Sequence, residues 1–218
     1  MSSTALRSFT KRSFYPLFLD ISNKLCIVLG GGKIAERKVT MLLKFNATVR
    51  LISPKITANL SKLSKSGRIS VLERDYRNGD LNGATLIFAA TNRKMINNKI
   101  KKEAEARGIP VNVVDDPGLC DFIVPSIVQK APITIAISTS GSLPSLSKKL
   151  RKEISKCMTK EYIKYGRIMA EFREHLIKTV EDKKLRKKIM SRIDKTELKE
   201  LIGMNMEMLK NNFLRVIK

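Results

Sequence analysis

A run of three glycines, Gly30 to Gly32, constrains the fold of this chain more than any other feature of its sequence. The residues before it, 24–29, read KLCIVL and predict a short buried strand. The residues after it, 33–45, carry apolar side chains at helical spacing and predict a helix. Glycine permits a tight turn and a close approach of other groups to the backbone. A strand, a glycine turn and a helix in this order are typical of α/β proteins.

The same alternation of apolar strands and helices continues to about residue 116. Further strands are predicted at 47–52, 69–72, 84–90 and 109–114, and further helices at 56–65 and 94–107. Strands separated by helices pair in parallel through right-handed crossovers. Because these strands are apolar almost throughout, we expect both faces of the sheet to be covered. The fold class predicted for residues 20–116 is therefore α/β, with a doubly wound parallel sheet.

The pattern changes after residue 116. Two β-like runs, 122–128 and 133–138, follow each other without a helix between them, and the connection 129–132 is short enough for a hairpin. We therefore expect an antiparallel unit outside the parallel sheet. A loop rich in hydroxyl groups and glycine then leads into a helix from about Ser145, and the remainder is helical and highly charged.

The chain is strongly basic, with 43 Lys and Arg against 20 Asp and Glu and a formal charge of +23. Such an excess predicts a partner or substrate rich in negative charge, or simply a solvated basic surface. Proteins that bind nucleic acids usually combine basic residues with aromatic ones for stacking. Aromatic residues make up only 6% of this chain, so we do not expect nucleic acid as its partner.

Residue counts exclude several kinds of site. His175 is the single histidine, so one chain cannot build a site from clustered histidines. Cys26, Cys120 and Cys157 are odd in number and widely spaced, which argues against a disulfide framework or a zinc site and fits the reducing cytoplasm.

No apolar run approaches the roughly 18 residues of a membrane helix, so we expect no membrane span. The basic N-terminus resembles a transit peptide in composition, but a frayed tail is the interpretation we favour.

The glycine motif Gly30-x-Gly32-x-x-Ala35 has the spacing of a dinucleotide-binding turn, with Ala in place of the third glycine. In such a turn the first glycine allows the sharp bend and the second lets a pyrophosphate approach the backbone. The third small residue lets the helix pack closely on the strand. The free N–H groups and the dipole of the helix N-terminus then face the phosphates. The sequence therefore predicts a nucleotide cofactor.

Two further strand ends could contact this cofactor. An acid is expected where the second strand ends, to bind the ribose hydroxyls, but the chain has Ser53, Pro54 and Lys55 there. Ser53 could bind the ribose and Lys55 could favour a 2′-phosphate, so residue chemistry alone leaves NAD and NADP open. Thr91 and Asn92 follow the fourth strand, where they could contact the cofactor, cap the next helix, or do both.

An acidic pair, Asp115 and Asp116, follows the fifth strand on the same predicted edge of the sheet. A carboxylate beside a nicotinamide could accept a proton while a hydride leaves the substrate. Asp116 directly precedes Pro117 and fits a structural turn, so Asp115 is the better candidate base. A later loop could bind carboxylates or simply cap a helix, and its residues are Ser138, Thr139, Ser140 and Gly141.

These residues, taken in order, resemble a known family, the precorrin-2 dehydrogenases that form the N-terminal module of siroheme synthases. The matching segments are Gly30–Lys38 (GGGKIAERK), Ser53-Pro54, Ala89–Thr91, Asn112–Asp115 (NVVD), Phe122–Pro125 (FIVP) and Ser138–Gly141. Several motifs occur in the right order at matching intervals, so the resemblance is specific. It extends from about Tyr15 to about Lys156, and the C-terminal part is similar only in length and character.

The resemblance implies an NAD-dependent oxidation of precorrin-2 to sirohydrochlorin, with Asp115 as the acid–base residue. It places the cofactor contacts at Lys33 and Ile34 and at Pro54 and Lys55. A Ser-Pro end to the second strand is normal in this family, so the missing acid does not count against NAD. Some relatives also insert iron into sirohydrochlorin, and whether this chain does so stays open.

The resemblance also implies a homodimer and a polycarboxylate substrate, which agrees with the charge of +23. Basic residues beside the predicted loop are candidates for binding substrate carboxylates, although a solvated surface is the simpler role for each: Lys130, Lys148, Lys149, Arg151 and Lys152. The domain organisation we predict is a flexible segment 1–14, a Rossmann-type NAD-binding domain 15–117, a β/α dimerisation region 118–157 and a helical domain 158–218. The main alternative function is a non-enzymatic, NAD-binding regulatory module.

Overall fold

The computed structural model of the chain describes residues 13–214. Within them the chain forms two compact units that divide between Ile123 and Val124. Most of the segment 1–14, predicted to be flexible, lies outside the described residues. No helix in the described part of the chain is long and apolar enough to cross a membrane.

The first unit is a five-stranded parallel sheet with helices, as predicted. Its elements in chain order are β1 (Leu25–Leu29), α1 (Lys33–Lys44), β2 (Thr48–Ile52), α2 (Ala58–Lys65), β3 (Ser70–Leu72), β4 (Leu86–Ala89), α3 (Lys94–Ala106) and β5 (Val111–Val113). The strand order is β3-β2-β1-β4-β5, and every pair is parallel. The predicted doubly wound fold is therefore confirmed, and most element ends agree with the sequence prediction to within two residues.

The strand order creates a crevice where a ligand can bind. The chain adds β2 and β3 on one side of β1 and then crosses to add β4 and β5 on the other side. In such sheets ligands bind where the order reverses, beyond the carboxyl ends of the strands. Here that point lies between β1 and β4, whose last residues Leu29 and Ala89 pair in register. Ile52 and Val113 complete the same row, so the segments that follow all four strands begin at one rim.

The sheet is buried because it lies between apolar residues on both faces. The four residues of β4 are all buried, and so are all those of β1 except Leu25, as their apolar sequences predict. From one side, Ile100 and Ala104 of α3 pack against Ile87 and Ala89. Helix α1 buries Ala35, Val39 and Leu42, which recur at helical spacing.

The second unit begins with a hairpin of β6 (Ser126–Lys130) and β7 (Ile133–Ile137), which pair antiparallel as predicted. The predicted strand began at residue 122, but the ladder starts only at Ser126. The carbonyl of Phe122 instead accepts a hydrogen bond of 2.9 Å from Asn112 Nδ2. Pro125 has no N–H to donate to a ladder, so the strand begins after it.

The remainder of the second unit is helical, as predicted. The helices are α4 (Pro144–Cys157), α5 (Lys160–Thr179), α6 (Lys183–Lys195), α7 (Leu198–Ile202) and α8 (Met206–Phe213). The last four share an apolar core that is separate from the core of the sheet. Its buried residues are Phe172, Leu176, Ile189, Ile193, Leu201, Leu209 and Phe213.

Candidate functional site

The turn after β1 is packed so tightly that its first residue must be glycine. Gly30 has a φ of +110°, which L-residues rarely adopt. A Cβ at Gly30 would lie 2.3 Å from the carbonyl oxygen of Ala90, the residue that follows β4. The N–H of Gly30 donates to the carbonyl of Ile52 at 2.9 Å. Gly30 therefore joins the ends of β2, β1 and β4, in agreement with the tight-turn role predicted for it.

Gly31 has a structural role that the sequence motif did not assign, because the motif treats this position as variable. A Cβ at Gly31 would lie 1.9 Å from the carbonyl oxygen of Lys55. The carbonyl of Gly31 accepts a 3.0 Å hydrogen bond from the N–H of Thr57. The loop after β2 thus lies directly against the glycine turn. The run of three glycines was the only sign in the sequence of a special role for Gly31. The sequence did not show its partner, Lys55, which is more than twenty residues away.

Gly32 lies beside open space instead. A Cβ built on Gly32 would meet nothing within 4 Å. Gly32 is also the N-cap of α1, and no side chain caps this helix N-terminus. An uncapped helix N-terminus next to open space is suited to bind a phosphate through backbone N–H groups. This geometry fits the pyrophosphate of a dinucleotide, with Lys33 and Ile34 as the first residues of the helix.

The loop after β2 uses its own polar groups to hold its shape. Ser53 is buried, and its Oγ donates to the carbonyl of Lys55 at 2.8 Å. The proton of Ser53 is therefore used within the loop, and its oxygen keeps only acceptor capacity for a ribose. Pro54 and Lys55 are exposed at the rim. Their predicted contacts with a cofactor stay predictions.

Glu36, in the first turn of α1, braces this loop. Its carboxylate accepts hydrogen bonds from Asn59 Nδ2 at 2.9 Å and from Thr57 Oγ1 at 2.5 Å. These bonds, that from Asn59 first, lower the pKa of Glu36, so its carboxylate is ionised at neutral pH. The sequence analysis missed Glu36, because nothing in the local spacing shows that α1 and α2 meet at this point.

Thr91, after β4, organises the turn into α3. Its hydroxyl donates to Asn97 Oδ1 at 2.6 Å and accepts from the N–H of Arg93 at 3.2 Å. Asn97 Nδ2 returns a bond of 3.1 Å to the carbonyl of Thr91. Arg93 is the N-cap residue of α3 and no side chain caps this helix, so Thr91 shapes the turn before the helix instead of capping it. A cofactor contact by Thr91 or by the exposed Asn92 stays a prediction.

Asp115 lies at the same rim, just beyond β5. The N–H of Val114 donates to the carbonyl of Ala89 at 2.9 Å, which continues the β4–β5 pairing. Asp115 then adopts a φ of +60°, and its side chain is exposed. This left-handed conformation is uncommon outside glycine, although Asp tolerates it better than most residues. Strained residues of this kind cluster at functional sites.

Two side chains, one before the Asp115 turn and one after it, hold this turn in place. Cys120 Sγ accepts from the N–H of Val113 at 3.2 Å and lies 3.4 Å from the carbonyl of Asp116. Asn112 is buried and fixes the chain at Phe122, as noted above. The turn is therefore held in place by contacts on the residues that precede and follow it.

The serine-rich loop lies in the second unit, before α4. Ser138 Oγ accepts from the N–H of Ser140 at 3.0 Å, and Thr139 Oγ1 accepts from the N–H of Leu143 at 3.1 Å. Ser140 and Gly141 both have positive φ. The loop is thus built by its own hydroxyl groups, and its predicted binding of substrate carboxylates stays a prediction.

Lys130 was placed beside this loop by sequence, and that placement is wrong. Its Nζ donates to the carbonyls of Ser155 and Met158 at 2.9 and 2.8 Å, at the C-terminal end of α4. The loop is at the other end of this helix of 14 residues, about 20 Å away. A cation at a helix C-terminus satisfies free carbonyls and the helix dipole, so Lys130 has a structural role.

Within residues 13–214 no group of three or more His, Cys, Asp and Glu side chains could hold a metal ion. The segments that do meet are the glycine turn, the loop after β2 and the turn after β4. An uncapped helix N-terminus between them, at the point where the strand order reverses, defines a dinucleotide-binding protein of the Rossmann type.

Comparison with known proteins agrees with this class. Residues 17–126, half of the chain, match the family described as putative NAD(P)-binding, and the chain belongs to that family. This match confirms the prediction of a nicotinamide dinucleotide cofactor. It covers the glycine turn, the rim and Asp115.

Curated relatives over a longer part of the chain are siroheme synthases. That of Vesicomyosocius okutanii is 39% identical over 79% of this chain, and that of Methylobacillus flagellatus is 43% identical over 73%. That of Pseudomonas aeruginosa PAO1 is 35% identical over 87%. The chain spans only 38%, 34% and 41% of the length of these three proteins. The resemblance stated from the sequence motifs is thereby confirmed.

A solved structure of similar fold is that of SirC, a precorrin-2 dehydrogenase. It matches 94% of this chain and 98% of its own length with a TM-score of 0.74, at 22% sequence identity. The two chains therefore have the same fold, including the helical part that the family match does not reach.

Proposed function

We propose that this chain oxidises precorrin-2 to sirohydrochlorin with NAD, a step of siroheme biosynthesis. The similarity to siroheme synthases and to the fold of SirC supports this proposal. The observation that carries it is the position of Asp115, an exposed carboxylate in a strained turn on the rim that also bears the glycine turn. A non-enzymatic NAD-binding module would need no acid at this place.

The oxidation removes a hydride and a proton from the substrate. NAD, when bound, accepts the hydride. The N-terminus of α1 would hold the diphosphate in the open space at Gly32, and the other expected contacts are Lys33, Ile34, Ser53, Pro54, Lys55, Thr91 and Asn92. Asp115 takes the proton at its carboxylate. The left-handed turn presents this carboxylate beyond the end of β5, instead of along the strand.

NAD is the proposed cofactor rather than NADP. Glu36 holds an ionised carboxylate against the loop after β2, where the adenosine ribose of a dinucleotide is expected. Repulsion from a fixed negative charge disfavours the 2′-phosphate of NADP. Lys55 acts in the opposite direction, but its side chain is exposed and screened by solvent.

The substrate is an anion with many carboxylates, and the formal charge of +23 favours its approach. In the second unit, Ser138, Thr139, Ser140 and Gly141 are the expected contacts for its carboxylates. Insertion of iron into the product stays a prediction, with Asp115 as the candidate acceptor of the pyrrole protons. The cytoplasmic location expected from the cysteine spacing also stays a prediction.

We also propose that the chain is a homodimer. Helix α4 carries Leu146 and Leu150 at helical spacing, and both are about 40% exposed, with Leu143 just before the helix still more so. Contiguous exposed leucines favour burial against another surface. A second copy of the chain can bury this stripe on both molecules through a two-fold contact.

The test is an anaerobic absorbance assay with precorrin-2 and NAD, in which Asp115→Asn is compared with the wild type. Asn also tolerates a left-handed φ, so this variant keeps the turn and removes only the basic carboxylate. Asp116→Asn is the matched control, because Asp116 is an exposed acid of the same turn. We expect the Asp115 variant to lose at least about a thousandfold in kcat and the control to stay within about threefold of the wild type.

Binding of NADH, followed by its fluorescence, separates chemistry from folding in this assay. We expect all three proteins to bind NADH equally. A wild type that binds NADH but forms no sirohydrochlorin would favour the regulatory module. Equal losses in the two Asn variants would remove Asp115 as the base while leaving the reaction in place. Ferrous iron added after the oxidation tests for siroheme formation in the same cuvette.

A further inference from the structure

One cation of the first unit is partly shielded from solvent and has no acidic partner within the described residues. Lys38 lies on α1 and is half-buried. Its Nζ lies 5.1 Å from the centre of the Phe88 ring, a cation–π contact. Within residues 13–214 the side chain of Lys38 takes part in no hydrogen bond and no ion pair.

The placement of Lys38 is unfavourable for folding. Burial lowers the pKa of Lys38, and the nearby Arg37 lowers it further, while Cys120 acts in the opposite direction. Fully buried charges are usually paired with an opposite charge because the loss of hydration is costly, and a half-buried charge loses part of its hydration. The ring of Phe88 offsets only part of this loss. A lysine here therefore has a cost in hydration that an uncharged side chain of similar length, such as methionine, would not have.

The surroundings of Lys38 connect it to the Asp115 turn. Phe88 lies next to the end of β4 and pairs in register with Asn112 of β5. Its ring meets that of Phe122 edge-on at 5.5 Å, and Asn112 fixes Phe122 through its carbonyl. Asp115 follows Asn112 by three residues. The ammonium group thus lies beside a pair of packed aromatic rings, Phe88 and Phe122, near the same ends of β4 and β5 as the proposed base.

We propose that Lys38 binds a carboxylate of the tetrapyrrole substrate and so orients the carbon that is oxidised near Asp115. This inference rests on the proposed function and adds a substrate-binding residue to it. An unpaired ammonium beside a fixed ring offers one point of strong attraction to an anion. The diphosphate of NAD is expected at Gly32, the N-cap of α1, and Lys38 lies six residues further along the helix. Cofactor binding should therefore not depend on Lys38.

The test compares Lys38→Met with the wild type in four measurements: KM and kcat for precorrin-2, affinity for NADH, affinity for sirohydrochlorin, and melting temperature. Lys62→Met is the matched control, because Lys62 is an exposed lysine of α2 and its loss changes the net charge equally. For Lys38→Met we expect KM to rise, and affinity for sirohydrochlorin to fall, by about tenfold or more, with NADH affinity unchanged. The melting temperature should be unchanged or higher. Lys38→Arg, which keeps the charge, should recover part of the loss in substrate affinity.

Three outcomes would overturn this inference. One is an active wild type together with a Lys38→Met variant whose KM for precorrin-2 and affinity for sirohydrochlorin match those of Lys62→Met. Another is a lower melting temperature with parallel losses of NADH and tetrapyrrole binding, which would indicate a packing role. The third is a wild type that neither binds sirohydrochlorin nor forms it, which contradicts the proposed function itself. Binding of the product needs no turnover. If the wild type binds sirohydrochlorin but shows no activity, comparing its affinity with that of Lys38→Met still tests the role of Lys38.

Discussion

At the scale of single residues, three adjacent glycines have three different reasons to be glycine. Gly30 combines a positive φ with contact against Ala90, and Gly31 is pressed against Lys55. Gly32 has an ordinary backbone conformation and empty space in front of it. The first two glycines are therefore needed for the close packing of the turn, and Gly32 leaves the space in which we propose that the cofactor diphosphate lies.

These roles predict opposite results for alanine at two neighbouring positions. Gly31→Ala places a methyl group against a carbonyl that the sheet holds in place, so the free energy of unfolding should fall by about 3 kcal/mol. Gly32→Ala meets no atom of the protein and should cost about 1 kcal/mol or less, through weaker capping of α1. NADH should nevertheless bind to Gly32→Ala at least about tenfold more weakly, because the methyl group occupies the approach of the diphosphate.

Chemical denaturation and NADH fluorescence titration measure the two effects separately. Equal stability of the two variants would contradict the packing derived for Gly31. Normal NADH affinity in Gly32→Ala would contradict the position assigned to the diphosphate.

At the scale of elements, α1 brings together most of the candidate site. One face buries Ala35 and Val39 against the sheet, and its N-terminus faces the open space at Gly32. Glu36 and Lys38 point to opposite sides of the helix, since two residues correspond to a rotation of about 200°. Glu36 therefore reaches α2, and Lys38 reaches Phe88. The periodicity of the sequence predicted the buried face but not the neighbours of the two flanks.

The brace made by Glu36 predicts a pH-dependent contribution to stability. Hydrogen bonds, from Asn59 first and then from Thr57, lower the pKa of Glu36 in the folded chain below its ordinary value of 4.5. The folded state thus favours the ionised form, so this contribution is present above that value and is lost as the pH falls through the lowered pKa. Glu36→Gln should lower the melting temperature at neutral pH, and its difference from the wild type should shrink in acid.

Thermal melts between neutral pH and about pH 3 measure this difference. Glu73→Gln is the control, because Glu73 is an exposed acid of the same unit without a hydrogen bond in the described structure. A gap between Glu36→Gln and the wild type that stays constant with pH would mean that the carboxylate charge is not what holds the loop.

At the scale of the whole molecule, the strand order turns separate motifs into one rim. The glycine turn, the loop after β2, the turn after β4 and Asp115 are distributed over more than eighty residues of sequence. They meet because β1, β2, β4 and β5 are parallel and end in the same row. The serine-rich loop and the exposed leucines of α4 belong to the second unit.

The proposed homodimer predicts that charge on the α4 stripe will separate the two copies. The double variant Leu146→Glu and Leu150→Glu would bury two carboxylates in an apolar contact, so its dimer dissociation constant should rise by about a hundredfold or more. Ile177→Glu on α5 is the control, because Ile177 is also an exposed apolar residue of this unit. Sedimentation velocity across a concentration series measures both variants. A wild type that stays monomeric at high concentration would contradict the proposal.

Local sequence patterns were sufficient for the parts of this protein that depend on neighbouring residues. Strands β1 to β5, their alternation with helices and the glycine turn follow from local periodicity and from the conformational freedom of glycine. The motif order was enough to indicate the family, and the comparisons confirmed it. The domain boundaries and the individual site residues stay predictions. The strand predicted at 122–128 begins later in the structure, at Ser126, because the carbonyl of Phe122 bonds to Asn112 and Pro125 has no N–H to donate.

Contacts between distant residues, in contrast, became known only from the folded chain. Gly31 against Lys55, Glu36 with Asn59, Lys38 over Phe88 and Lys130 at the end of α4 each join residues more than twenty positions apart. Local patterns predict whether a segment is a helix or a strand and which face it buries. They do not predict which elements pack against it, because that depends on the order of the strands in the sheet. The same limit explains why the sequence placed Lys130 beside a substrate loop and did not single out Lys38.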